Sequence, residues 1–153
     1  MALEIERKFL VDPAKWTPTD KGTNLVQVYL SLEPNLIVRI RIAGEKAFLT
    51  IKGCSESISR PEFEYEIPVH DATEMLKMAI SNPVEKIRHE VMHSGFLWEV
   101  DVFSGKNSGL IMAEIELKSE NQEFPRPDWL LKEVSNDGRY YNSYLSGCPF
   151  SEW

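Results

Sequence analysis

The chain has 153 residues, of which 42% are hydrophobic, enough to bury one core, and we predict a single domain over residues 1–153. Its 24 acidic and 17 basic residues give a net charge of −7, which argues against a general nucleic-acid partner because such proteins carry a basic surface. The N-terminal residues are charged where a secretion signal is apolar, and no apolar run reaches membrane-spanning length. We therefore expect a cytoplasmic protein with no nucleic-acid and no membrane partner.

The first predicted element is a strand from Leu3 to Phe9 in which charged and apolar residues alternate. Successive side chains of a strand point to opposite faces, so Glu4, Glu6 and Lys8 share one face. The same alternation recurs in six further stretches. Their charged faces carry Arg39 and Arg41, Thr50 and Lys52, Glu62, Glu64 and Glu66, Lys86 and Arg88, Glu99 and Asp101, and Glu114 and Glu116.

A further strand is predicted from Leu25 to Leu32, before the arginine-bearing stretch, and it places Gln27 and Tyr29 on one face. Gly44 favours a tight hairpin between the arginine strand and the strand that follows it. These short connections indicate antiparallel neighbours.

Three helices are predicted. Asp71 to Ser81 has an apolar stripe at helical spacing, with Asp71 as its cap and Glu74 in the capping-box position. In the tail, short helices are expected around Trp129 to Val134 and Arg139 to Leu145.

Strands outnumber helices and most connections are short turns, so the pattern predicts an α+β fold that is mainly antiparallel β. Closing such a meander into a β-barrel removes exposed sheet edges. The few helices would then cover the apolar outer face, and the charged face would line the lumen.

The charges are sorted by strand, because some strand faces carry only carboxylates and others only Arg or Lys. Like charges two residues apart lie about 6–7 Å from each other and repel unless counter-ions intervene. Clustered carboxylates suit Mg2+ or Mn2+, whereas clustered Arg and Lys suit phosphate. Both clusters in one lumen indicate a metal-bound polyphosphate. The alternative is an antiparallel sheet with one solvated face, which is common.

The segment His89-Glu90-Val91-Met92-His93 matches the HExxH pattern of zinc proteases. The two histidines can share a zinc ion only on a helix, because residues four apart on a strand are about 13 Å from each other. Alternation of Lys86 and Arg88 with Ile87 favours a strand here. We therefore expect no zinc site, with both histidines off the charged face.

The segment Glu4-Ile5-Glu6-Arg7-Lys8 resembles the ExExK signature of the CYTH superfamily, the triphosphate tunnel metalloenzymes. The likeness extends in order over nearly the whole chain. It continues through residues 38–41, 49–52, 60–67, 85–88, 98–103 and 113–117, and residues 133–142 are similar to the C-terminal pattern of short bacterial members.

The resemblance implies an eight-stranded closed antiparallel tunnel, a divalent metal ion (Mg2+ or Mn2+) and a small-molecule triphosphate substrate. It implies metal ligation by Glu4, Glu6, Glu114 and Glu116, with Glu62, Glu64 and Asp101 as further ligands or supporting groups. The residues implied to bind the triphosphate are Lys8, Arg39, Arg41, Lys52, Lys86 and Arg88. Tyr29 shares the charged-face parity of its strand, and it would act with Lys8 and Glu6 in catalysis by orienting Lys8 or the attacking water.

The leading functional hypothesis is metal-dependent hydrolysis of inorganic tripolyphosphate to pyrophosphate and phosphate. Alternatives within the same family are a class IV adenylate cyclase and a nucleoside or thiamine triphosphatase. An alternative from another class is a non-catalytic module that binds polyphosphate. A homodimer is one assembly that the sequence allows.

Overall fold

The structure, a computed structural model, describes residues 3–153 and consists mainly of β-strands. The strands are β1 (Leu3–Val11), β2 (Thr23–Glu33), β3 (Leu36–Ala43), β4 (Lys46–Lys52), β5 (Ser59–Ile67), β6 (Val84–His93), β7 (Phe96–Phe103), β8 (Ile111–Glu116) and β9 (Leu130–Glu133). All the pairings between them are antiparallel. The predicted α+β class with mainly antiparallel β is therefore confirmed.

The first eight strands form a ring in the order β5-β4-β3-β2-β6-β7-β8-β1, which pairing of β1 with β5 closes. The expected eight-stranded closed barrel is thus present. Beyond its contact with β5, the same edge of β1 pairs with β9, with Phe9 opposite Glu133. This ninth strand supplies partners for backbone groups that would otherwise lie on an open edge.

Tight turns join several neighbouring strands. Ser94 and Gly95, between β6 and β7, have φ angles of 50° and 83°. Two consecutive positive φ angles are typical of the type I′ turn, whose twist matches that of an antiparallel hairpin. Gly44, between β3 and β4, also has a positive φ of 60°. The hairpin predicted at Gly44 is confirmed.

Two clusters of apolar side chains pack outside the ring. One cluster lies over β1, β7 and β8, where Trp98 and Phe9 are fully buried and meet edge to face at 5.7 Å between ring centroids. Trp129 and Phe124, from the segment before β9, cover Trp98 in the same manner. These aromatic contacts shield the outer face of the sheet from water.

A second outer cluster lies under α1 (Val69–Met75), where Val28, Ile40 and Ala47 are buried. The predicted helix from Asp71 to Ser81 was misplaced at both ends. The α-helix begins after Pro68 with no side-chain cap, and a 3₁₀-helix (Leu76–Met78) completes the segment. The chain is extended from Ala79, because Ile80 donates its backbone N–H to Tyr29 of β2.

The tail differs from prediction in one of its two expected helices. Residues 129–134 contain β9 and not a helix. The expected helix over 139–145 is present as a 3₁₀-helix (Gly138–Tyr140) followed by α2 (Asn142–Gly147), and two further 3₁₀-helices span Gly105–Asn107 and Phe150–Glu152. None of the helices in residues 3–153 has the length and apolar character needed to cross a membrane.

The tail closes one end of the ring. Val84, Phe103 and Met112 occupy the ends of their strands on the same faces as the charged residues, and Leu145 of α2 and Val134 join them in one buried apolar cluster. Leu145 is fully buried. Because this cluster fills the lumen at that end, the tunnel has a floor.

Candidate active site

A cavity of about 520 Å³ occupies the lumen above this floor. Its lining includes every residue predicted for the site except Asp101. The predicted site residues that line the cavity are Glu4, Glu6, Lys8, Tyr29, Arg39, Arg41, Lys52, Glu62, Glu64, Lys86, Arg88, Glu114 and Glu116. Closure of the sheet brings side chains from all eight ring strands to this cavity, with Glu99 coming from β7, because their shared parity turns them inward.

Asp101 does not line the cavity and instead contacts two basic side chains that do. Its carboxylate is 2.7 Å from Lys86 Nζ and accepts two hydrogen bonds from the Arg88 guanidinium, at 2.8 and 2.9 Å. Only 1% of its side chain is exposed. Burial acts to raise the pKa of Asp101, but Lys86 and Arg88 outweigh it and hold that pKa below its usual value. In this geometry Asp101 orients the side chains of Lys86 and Arg88.

Glu114 lies between Lys8 and Arg88. Its carboxylate is 3.5 Å from Lys8 Nζ and 3.7 Å from Arg88 Nη2. Burial favours the protonated form of Glu114, but Lys8 and Arg88 hold its pKa well below the ordinary value. Burial likewise acts to lower the pKa of Lys8, and Glu114 and Glu6 outweigh it and raise that pKa. Both side chains are therefore charged at neutral pH.

The carboxylates from β1, β5 and β8 crowd together further along the lumen. Glu6 is directly opposite Glu116 in the β1–β8 register, and Lys52 Nζ lies 3.1 Å from both Glu4 and Glu62. Burial raises the pKa of Glu6 to about 8, and repulsion from Glu114 and Glu4 adds to the rise. Such a group retains a proton at neutral pH unless a cation approaches it.

Arginines of β3 form the opposite wall. Arg39 donates to Thr50 at 3.1 Å. Arg41 donates to Gln27 at 3.0 Å, and Gln27 in turn donates to the Tyr29 hydroxyl at 3.1 Å. Burial lowers the pKa of Arg41 to about 10, and the nearby arginines Arg39 and Arg88 contribute to the decrease. An anion in the cavity would relieve this repulsion.

Three buried atoms of cavity-lining residues lack hydrogen-bond partners within residues 3–153, namely Arg39 Nε, Arg60 Nε and Glu62 Oε2. The Glu62 atom is 3.1 Å from Lys52 Nζ, but without hydrogen-bond geometry. Leaving buried polar groups unsatisfied costs free energy. A free N–H donor suits a phosphate oxygen, and a free carboxylate oxygen suits a hard divalent cation.

Several of the carboxylates that line the cavity contact basic side chains rather than converging on a common centre. In residues 3–153 no group of three or more His, Cys, Asp or Glu side chains is arranged to hold a metal ion. Glu4, Glu62 and Glu114 instead contact lysines or an arginine. The donor set is nevertheless composed of carboxylate oxygens, which are the ligands that hard divalent cations prefer.

Several site residues were not identified from the sequence. Gln27 and Thr50 are fully buried and hold Arg41 and Arg39. The available signal was strand parity, which places Thr50 on one face with Lys52 and Gln27 on one face with Tyr29. Ser135 and Asn142 also line the cavity, and no strand alternation points to them because they come from the tail.

The HExxH segment lies on β6, so the predicted strand is confirmed. His89 is buried on the outer face, where its ring packs on Trp16 and its Nδ1 lies 2.7 Å from Asp20 in the β1–β2 loop. The histidine fixes this loop to the sheet.

We expect Asp20→Ala to lower the free energy of unfolding slightly, because it removes a hydrogen bond to the buried His89 ring whose carboxylate partner is exposed to water. Urea denaturation measures this change. An unaltered midpoint would show that the contact with His89 does not stabilise the loop.

Comparison with known proteins gives consistent matches. A family model described as CYTH domain matches residues 2–145. An Acetivibrio thermocellus protein named inorganic triphosphatase is 45% identical over 154 residues, covering 100% of this chain and 99% of the relative. A Nitrosomonas europaea protein of the same name is 36% identical over 148 residues, covering 94% and 96%. The crystal structure of an inorganic triphosphatase is 34% identical, with a TM-score of 0.67 and 95% of each chain covered.

Proposed function

This chain belongs to the CYTH domain family, and from that premise we propose that it is a divalent-metal-dependent triphosphatase that hydrolyses inorganic tripolyphosphate to pyrophosphate and phosphate. The observation that carries the proposal is the lumen itself. It is closed at one end and lined by a basic group and an acidic group of side chains, both partly buried. A compact polyanion that carries its own cation satisfies both groups.

The basic side chains bind the triphosphate. Lys8, Lys86 and Arg88 lie at the closed end, and Arg39 and Arg41 form one wall. Lys52 contacts both Glu4 and Glu62, and it would turn to a phosphate oxygen when substrate binds. Because negative charge shifts between phosphate oxygens during phosphoryl transfer, fixed cations around all three phosphates stabilise the transition state.

The acidic side chains hold the metal ion. Glu4, Glu6, Glu114 and Glu116 would ligate it, and Glu62 and Glu64 would ligate or support it from β5. A bound Mg2+ or Mn2+ neutralises phosphate charge and lowers the pKa of a water molecule. Glu6 would give up its proton on holding the metal ion. Lys8 and Tyr29, whose hydroxyl is held by Gln27, place the attacking water in line with the bond to be broken.

A phosphate-release panel tests the proposal. Purified protein is assayed with tripolyphosphate, ATP and thiamine triphosphate, each with Mg2+, Mn2+ or EDTA, and cyclic AMP is measured in parallel. We expect metal-dependent turnover that is fastest with tripolyphosphate. Cyclic AMP from ATP would favour a cyclase, and metal-insensitive binding without turnover would favour a binding module.

Arg39→Lys should raise the KM for tripolyphosphate about tenfold with a smaller change in kcat. Lysine keeps the charge but cannot present the guanidinium fork, which includes the unpaired Nε. Initial-rate kinetics at saturating metal measure both constants. A KM equal to that of the wild type would remove Arg39 from the substrate-binding set.

The choice between Mg2+ and Mn2+, the single domain over residues 1–153, the cytoplasmic location and the homodimer all stay predictions. Metal titrations of activity address the first. Light scattering on the eluting peak of a sizing column gives the mass, with one chain at 17.6 kDa as the reference.

A further inference from the structure

The floor of the tunnel carries polar groups as well as its apolar cluster. At the start of α2, the side-chain oxygen of Asn142 accepts a hydrogen bond from Lys86 Nζ at 3.0 Å. Two residues earlier, the backbone oxygen of Tyr140 lies 3.4 Å from Lys8 Nζ. The tail thus supplies an acceptor to each of the two lysines at the closed end.

Lys86 is the more restrained of these lysines. Its side chain is 1% exposed, and its ammonium contacts Asp101 at 2.7 Å as well as Asn142. The Phe103 ring lies 5.3 Å away on the apolar side. An ammonium has three donors, so these two acceptors leave one N–H for the cavity, which Lys86 lines.

The hydrogen bond to Asn142 fixes the direction in which the remaining N–H of Lys86 points. A lysine side chain is flexible, and an ammonium group that has only one acceptor is held in position by that contact alone. With Asp101 alone, the ammonium would be free to rotate about that contact. The neutral amide adds a second fixed direction without adding negative charge that would repel a phosphate.

We propose that Asn142 is a positioning residue that fixes the Lys86 ammonium, so that its free N–H meets the phosphate group seated against the floor. The inference rests on the proposed triphosphatase function and names a role in it for the tail. The tail therefore both closes the tunnel and sets the geometry of its deepest cation.

The test uses Asn142→Leu, which keeps the side-chain size and removes the acceptor, alone and combined with Lys86→Met. We expect Asn142→Leu to raise the KM for tripolyphosphate about tenfold with kcat changed less than about threefold. In the Lys86→Met background the same change should have almost no further effect. Such non-additivity identifies action through Lys86.

Ser146→Ala is the matched control. Ser146 lies on α2, is fully buried and bonds to Ser81 at 2.9 Å, so its loss weakens attachment of the tail away from the lumen lysines. We expect a lower melting temperature with unchanged KM. Equal increases in KM for Ser146→Ala and Asn142→Leu, additive effects of Asn142→Leu and Lys86→Met, or a wild-type KM in Asn142→Leu would each overturn the inference.

Calorimetric titration of tripolyphosphate into the same proteins in EDTA separates this inference from the proposed function. If the wild type binds but shows no turnover with any metal, the proposed function fails. Weaker binding by Asn142→Leu, absent in the Lys86→Met background, would still support the positioning role. Equal dissociation constants for wild type and Asn142→Leu would overturn it.

Discussion

Replacing Glu6 with glutamine should reduce tripolyphosphate hydrolysis about 1,000-fold while the protein stays folded. Glu6 lies among Glu4, Glu114 and Glu116, where burial and repulsion raise its pKa to about 8. Glutamine has nearly the same shape but supplies no anion for the metal. Loss of preorganised charge at a phosphoryl-transfer site is expected to cost about this factor.

The folded state should tolerate this substitution. The wild-type carboxyl is protonated at neutral pH in the absence of metal, so a neutral amide resembles it electrostatically. Without metal we therefore expect an equal or higher melting temperature for Glu6→Gln, and a smaller rise in melting temperature on addition of Mn2+ than in the wild type.

Glu66→Gln is the matched control, because Glu66 is exposed near the end of β5 and does not line the cavity. Its kcat and KM should equal those of the wild type. Metal-dependent turnover retained in Glu6→Gln at the level of Glu66→Gln would contradict the assignment of Glu6.

The unfolding free energy of the metal-free wild type should fall relative to that of Glu6→Gln as pH rises from about 5 to 8. The pKa of Glu6 is about 8 in the folded protein against an ordinary 4.5. Between these values the folded chain binds more protons than the unfolded chain, so stability decreases with pH. Each unit of pKa difference is worth about 1.4 kcal/mol, and we expect a total change of about 3 kcal/mol.

Urea denaturation in EDTA at several pH values measures the difference between the two proteins. Lys86 acts in the opposite direction, because burial lowers its pKa to about 7 and its contribution to stability rises above that pH. This contribution is common to both proteins and cancels in the difference to a first approximation. A difference that does not vary with pH would show that Glu6 has an ordinary pKa.

The same protonation predicts the pH dependence of metal affinity. As a metal ligand, Glu6 would have to lose its proton when a metal ion binds, so the metal affinity should rise with pH and level off above about 8. This expectation follows from the previous one and is checked by titrating Mn2+ at the same pH values.

The helices were the least predictable part of the fold. The segment around Trp129 has apolar residues that fit a short helix as well as a short strand, and periodicity cannot separate the two. The structure resolves the choice because the edge of β1 beyond β5 offers unpaired backbone groups, which β9 satisfies. For α1, Pro68 sets the start, and the bond from Ile80 to Tyr29 ends the helical segment.

The sequence by itself determined which side chains face the lumen. The two-residue period of a strand assigns Glu4, Glu6 and Lys8 to one face wherever the strand is placed. That is why thirteen of the fourteen predicted site residues line the cavity. It also determined that His89 and His93 do not share a metal site, since strand geometry separates them.

Only the tertiary structure decided which charges meet. Strand parity is local, whereas the contacts of Asp101 with Lys86 and of Lys52 with Glu4 depend on register and on closure of the ring. The sequence of the tail also lacks a residue periodicity from which the side chains that face the lumen could be predicted. Packing of Leu145 into the end of the ring is what brings Asn142 to Lys86, and so the floor of the site became visible only in the folded chain.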